Sequence, residues 1–163
     1  MHGKIAWIFL CSLLASSAIA AAPLQDRSQQ RNALLSRINQ VRAQEALRPL
    51  TDRAELREAA QAHAQDIAGR GVLDHRGSDG SKLSDRLHRV HYDYSIAAEN
   101  LADGTVDAAA TVSLWMQSPG HRANLLLPDV REVGIGHVQI SDPRYPGGEH
   151  DYWVLVLGRR LIR

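Results

Sequence analysis

Cysteine is nearly missing from this 163-residue chain, whose one thiol, Cys11, lies close to the N-terminus. Exported domains of this size often rely on disulfides. Without the N-terminal leader described below, this one has no cysteine left and is held by its core alone. An excess of one charge is also missing. Nineteen Lys and Arg against eighteen Asp and Glu leave a net charge of +1. The two signs are interspersed, so there is no electrostatic footprint for nucleic acid or an anionic membrane surface. No apolar run reaches the ~20 residues of a spanning helix, so no integral membrane segment is expected in the mature chain. The strings G-x-S-x-G, H-E-x-x-H and Walker A do not occur, nor does a G-x-G-x-x-G after a strand. Gly134-x-Gly136 lies within a strand pattern and reads as a place of close backbone approach, not as a nucleotide loop. There is no Asn-x-Ser/Thr sequon and no internal repeat.

What the N-terminus does have is a leader. Lys4 precedes the apolar run Ile5 to Leu14, and small residues follow at Ala18-Ile19-Ala20 and Ala20-Ala21-Ala22. Residues 1–22 read as a secretory signal peptide cleaved after Ala20 or Ala22, which places the mature chain in the periplasm or outside the cell. Cys11 sits inside the apolar core of the leader, after Leu10, and is not a lipid-attachment site. Residues 23–30 are polar and aperiodic, a flexible tether. Residues 31–163 suffice for one domain.

Within that domain Leu34, Leu35, Ile38, Val41 and Leu47 fall at helical spacing and end at Arg48-Pro49. Thr51 or Asp52 can cap a second helix, with Leu56, Ala59, Ala60, His63, Ile67 and Ala68 in one stripe and Gly69 and Gly71 at its stop. Gly77, Asp79 and Gly80 require a turn-rich loop, after which Ser81 or Ser84 caps a short helix through Val90. A helix from Val106 to Gln117 turns Ala109, Val112 and Trp115 inward. Val133, Ile135, Val138 and Ile140 form one strand and Tyr152 to Gly158 another, joined across the turn Asp142 to Gly148. Helices first and an antiparallel hairpin last make the fold class α+β.

Two side chains stand out chemically. Glu99 lies in the small and apolar segment "YSIAAENLADG", where an ionised carboxylate needs a partner. In "SLWMQSPGHRANLL", Ser118 reads as an N-cap and Pro119 as the first helical residue, which puts His121 in the first turn. The positive end of a helix disfavours imidazolium, so His121 presents a neutral ring whose free nitrogen binds a metal or accepts a proton; the alternative is that the ring merely donates its N–H to a backbone carbonyl. His63 belongs to a helix stripe and reads as a satisfied, partly buried residue. His88, His91, His137 and His150 read as surface residues, Trp115 as core, and Glu132 as the partner of a neighbouring arginine.

Taken in order, "INQVRAQEALRPL", "LREAAQAHAQDIAGRGVLDHRGSDGSKLSDRL", "AAENLA", "LWMQSPGHRANLL" and "REVGIG…YWVLVLG" resemble the CAP superfamily of cysteine-rich secretory, antigen 5 and pathogenesis-related 1 proteins, in its short, disulfide-free bacterial form. The resemblance runs from about Asn32 to Gly158. It implies an α-β-α sandwich with a small antiparallel sheet and an open cleft holding two histidines and two acidic residues. By motif those histidines are His75 in "DHRGSDG" and His121 in "SPGHR", and one acid is Glu99. The second acid of a W-x-x-E pattern falls on Ser118, so the carboxylate pair is broken. Asn100 and Asn124 then bond backbone at the cleft wall.

His75 and His121, both beside glycine-rich turns, can converge on a divalent metal, with solvent completing the sphere and Glu99 behind the ligands. Zinc suits such a site, bound weakly because two protein ligands are named where catalytic zinc usually has three. The function this implies is a secreted binding module for a small apolar or envelope-associated ligand. One alternative is a metal-dependent hydrolase using activated water and Glu99. Another is a structural or defence-related interaction protein.

Overall fold

The run Tyr152 to Gly158 is apolar at nearly every position, the pattern of a strand covered on both faces, and it forms the centre of the molecule. The computed structural model describes residues 22–104, 107–141, 143–144 and 148–161, with side chains from residue 28 onward. In chain order the elements are α1 (Ala22–Gln44), β1 (Thr51–Asp52), α2 (Ala54–Arg70), α3 (Leu83–Arg89), β2 (Tyr94–Asp103), α4 (Ala108–Gln117), α5 (Pro119–Leu125), β3 (Glu132–Ser141) and β4 (Glu149–Arg160). The sheet order is β1-β3-β4-β2. β4 pairs antiparallel with β3 and with β2, and the two-residue β1 runs parallel to β3.

Alternation along β4 divides the core into two layers. Trp153, Leu155 and Leu157 face one way, with Leu34 and Ile38 of α1 and Val112 and Trp115 of α4. Tyr152, Val154 and Val156 face the other, with Leu56, Ala60 and Ile67 of α2 and Leu87 of α3. Helices on both faces of the sheet make the α-β-α sandwich. Gly134 and Gly136 set the spacing of the second layer: a Cβ at either would overlap α2 backbone, at Leu56–Arg57 and at Ala60 respectively. That is the close approach expected of Gly134-x-Gly136. Gly71 ends α2 in the left-handed region at φ 65°, and its N–H bonds the carbonyls of Ile67 and Ala68.

Several expectations change. "YSIAAENLADG" is strand β2, which lies along β4 with Glu99 opposite Val156, so the sheet is more than a hairpin. Its alanines and polar residues lack the β-branched pattern that marks a strand, and pairing with β4 supplies the order. Helix α1 already covers residues 23–30, where a tether was expected. Pro23 lies in its first turn, where a missing N–H costs nothing. Thr51 and Asp52 pair with β3 instead of capping α2, which follows Arg53 without a side-chain cap. α3 starts at Leu83, and the Asp85 carboxylate accepts the Lys82 N–H at 2.8 Å. In α4 the inward stripe is Ala108, Thr111, Val112 and Trp115, so Ala109 faces out. The leader, except Ala22, and Cys11 lie outside the described residues.

Candidate functional site

β2 is an edge strand, and successive side chains on it face opposite layers. Leu101 enters the α2–α3 layer and Glu99, two residues earlier, faces the same way. Its carboxylate is 3% exposed and both oxygens are engaged. Oε2 accepts from Arg86 Nη2 at 2.7 Å, and Oε1 lies 2.8 Å from His75 Nδ1. Arg86 comes from α3 and is buried, whereas the His75 ring is 61% exposed on the loop between α2 and α3. The partner that Glu99 requires is therefore double, a buried guanidinium behind it and an open imidazole in front.

That carboxylate hydrogen bond raises the His75 pKa above the ordinary histidine value, against a smaller opposing effect of burial. Because an ionised carboxylate only accepts, Nδ1 carries the proton, and Nε2 has no hydrogen-bond partner among the described residues.

His121 arrives from the other layer, on α5. Asn100, which points away from Glu99 on the same strand, donates from Nδ2 to the His121 carbonyl at 3.0 Å. Asn124 of α5 donates to the Glu99 carbonyl at 3.2 Å and to Asn100 Oδ1 at 2.9 Å. These two asparagines clamp the helix of His121 to the strand of Glu99, and they reach backbone as the sequence suggested. The His121 pKa is lowered, first by burial and then by the positive charge of His75. No bond joins the two rings among the described residues. The hollow in front of Glu99 measures about 440 Å³ and is lined by Asp74, His75, Arg76, Lys82, Leu83 and Glu99; His121 is not among its lining residues.

Ser118 occupies the residue before Pro119, but its side chain makes no capping bond; its carbonyl accepts the Arg122 N–H at 2.8 Å. The expectation of a hydroxyl cap is corrected: Ser118 also closes α4, and backbone bonds hold the junction. His63 is buried, bonds the Asp74 carbonyl through Nε2 at 3.0 Å and is kept neutral chiefly by burial. It is the satisfied residue expected of it. His88 and His91 are exposed, whereas His137 and His150 are buried, contrary to expectation. Both sit where the hairpin packs under the helices: His137 stacks on Trp153 and His150 lies edge-on to Tyr152. Trp115 is core, with Nε1 donating to the Leu101 carbonyl at 2.9 Å. Glu132 lies 3.6 Å from Arg53 Nε and accepts the Tyr92 hydroxyl at 2.6 Å. Arg86 was not singled out from sequence, because one arginine on a short polar helix carries no local sign of burial. Among the described residues, no three or more His, Cys, Asp or Glu are grouped so as to hold a metal ion.

The model of the CAP family, the cysteine-rich secretory protein family, matches residues 35–157. The chain belongs to the CAP family. Among curated relatives, the uncharacterized protein YkwD of Bacillus subtilis is 32% identical over 101 residues, which are 62% of this chain and 39% of that protein. The uncharacterized membrane protein YlbC of the same organism is 33% identical over 103 residues, 63% of this chain and 30% of its own. This chain thus spans well under half the length of either. Among solved structures, an outer surface protein of Borrelia burgdorferi superposes with a TM-score of 0.69 at 22% identity, over 82% of this chain and 94% of that one. An extracellular protein of Bacillus anthracis containing an SCP domain gives 0.68 at 22% identity, over 83% and 43%. At such identities these structures speak for the CAP fold. No helix of the described residues is long and apolar enough to cross a membrane.

Proposed function

We propose that this CAP domain is a secreted or periplasmic binding module whose cleft takes a small apolar or envelope-associated ligand, with a divalent cation held at His75 and His121. One observation carries the reading: the exposed His75 ring is bonded to a buried carboxylate that is itself held by a buried arginine. A carboxylate behind a histidine orients the ring and raises the basicity of its other nitrogen, the usual arrangement behind metal-ligating imidazoles. The donor set fits zinc in kind, with His75 offering Nε2 and His121 favouring its neutral form. It fits weakly in number, since solvent must complete the sphere. When bound, the ion supplies a Lewis-acidic point for a polar ligand group. Leu83 lines the hollow, and Val72 and Leu73, exposed by 50% and 40%, immediately precede Asp74 in the chain. The extracellular and outer-surface descriptions of the structural relatives agree with export.

Binding is favoured over hydrolysis because Glu99 has no oxygen free to act as a base and the second acid of the family pattern is Ser118. Calorimetry with zinc on the wild type, His75→Ala and His121→Ala tests the reading, together with assays of envelope-derived lipids and peptides with and without zinc. We expect weak zinc binding that falls by tenfold or more in both variants, roughly the loss seen when metal sites are disturbed. Equal affinity in all three proteins removes the metal. Ligand binding unchanged by either variant leaves only an interaction protein indifferent to its cleft.

A further inference from the structure

We infer that Arg86 is the positioning residue of the cleft: its guanidinium fixes the Glu99 carboxylate and the His75 loop together, so that His75 holds its proton on Nδ1 and turns Nε2 outward. One planar group reaches three places. Nη2 donates to Glu99 Oε2 at 2.7 Å, and Nη1 donates to the His75 carbonyl and to the Ser81 carbonyl, each at 3.2 Å. The first bond locks the carboxylate on β2. The other two lock both ends of the 75–81 loop, so the backbone that carries the ring and the oxygen that orients it share one donor. A lysine offers a compact charge that cannot span these acceptors in one geometry.

The pair is 6% and 3% exposed, and such a buried pair adds little over well-packed apolar residues of the same volume. Stability alone therefore gives no reason for an ion pair here. What distinguishes it from a purely structural pair is the second oxygen of Glu99, which is bonded to a ring that is mostly in solvent. The guanidinium also keeps Nε buried without a hydrogen-bond partner. Arg42 is also buried and likewise leaves one nitrogen unbonded, but its bonds go only to the backbone carbonyls of Arg48, Leu125 and Leu127, whereas those of Arg86 converge on one imidazole's loop and on the carboxylate that orients it.

The inference deepens the binding reading by naming what sets its central ring, and its test does not depend on metal. Ring nitrogen shifts of ¹⁵N-labelled, EDTA-treated protein report the tautomer of each histidine. At a pH above the raised His75 value, where the ring is neutral, we expect a single Nδ1–H form for His75 in the wild type. In Arg86→Met that form should be lost to a mixture, while His63 keeps its signal and thermal unfolding shows a folded protein. Arg86→Lys is read in the same way should the methionine variant fail to fold, with the loop loosened and the His75 signal split. A folded variant of either kind that keeps the wild-type His75 signature overturns the inference and leaves Arg86 structural. Zinc titration of the same samples separates the two readings: a changed tautomer with no zinc binding even in the wild type sustains the role of Arg86 while refuting the metal site.

Discussion

His75 with Glu99 and His137 with Asp151 are the same chemical pair at similar separations, 2.8 and 2.6 Å. Their surroundings are opposite. His137 lies on β3 and Asp151 on β4, with side chains 4% and 2% exposed, and the His137 ring stacks on Trp153 at 3.9 Å. Among the described residues, His137 Nδ1 and Asp151 Oδ2 are buried with no hydrogen-bond partner. In the cleft the carboxylate is as deeply buried, but the ring is open and a guanidinium stands behind it. Proximity of an imidazole to a carboxylate therefore says little about function. What matters is where the second ring nitrogen points and whether the carboxylate has a further partner.

Breaking the closed pair should have the largest effect. His137→Ala removes the ring stacked on Trp153 and strands Asp151 in the core, and losing one member of a buried pair costs about 3–5 kcal/mol. Urea unfolding would show it. In His75→Ala the lost ring was mostly in solvent, so the expected cost is below about 1 kcal/mol. Equal losses in the two variants would mean that the cleft pair is structural as well.

The comparison sharpens with pH. Glu99 raises the His75 pKa, whereas burial and the charge of His75 lower that of His121. With the unfolded value near 6.5, the stability contributed by His75 is full below about pH 6.5 and fades as pH rises through its raised folded value. His121 and the buried His63 run the other way: their contribution is present above about 6.5 and is lost as pH falls through their lowered values. NMR titration should therefore find His75 titrating above His121. Zinc affinity should keep climbing past pH 6.5, because the proton that competes longest is on His75. Coincident midpoints for the two rings would remove the electrostatic account of the cleft.

The two pairs were unequally legible in the sequence. Helical stripes and the apolar β4 run state which face is buried, so the α+β class and α2 with its Gly71 stop could be read directly. Glu99 announced its need for a partner by standing among alanines. His75 was visible through its motif alone, since an exposed loop histidine has no local signature. Arg86 and the His137–Asp151 pair were invisible for one reason. Each is a polar residue buried by elements far away in sequence, and no periodicity records such a contact. β2 escaped because its order comes from β4, not from its own propensity.

The smallest effect concerns how His121 is held. Asp107 caps α4 through a side-chain bond to the Ala110 N–H at 2.7 Å, and Asp107→Ala should lower stability by about 1 kcal/mol. Ser118 occupies the equivalent position before α5 without such a bond, so Ser118→Ala should change stability by less than about 0.5 kcal/mol. The His121 ring should also keep its chemical shifts, because α5 is tied to the sheet by Asn100 and Asn124, neither of which touches the serine hydroxyl. A loss as large as that of Asp107→Ala, or a displaced His121 signal, would mean that the hydroxyl caps the helix in solution. The placement of the His121 ring would then depend on a side-chain cap, and the contrast between a cleft clamped from the strand and a core pair locked by burial would weaken.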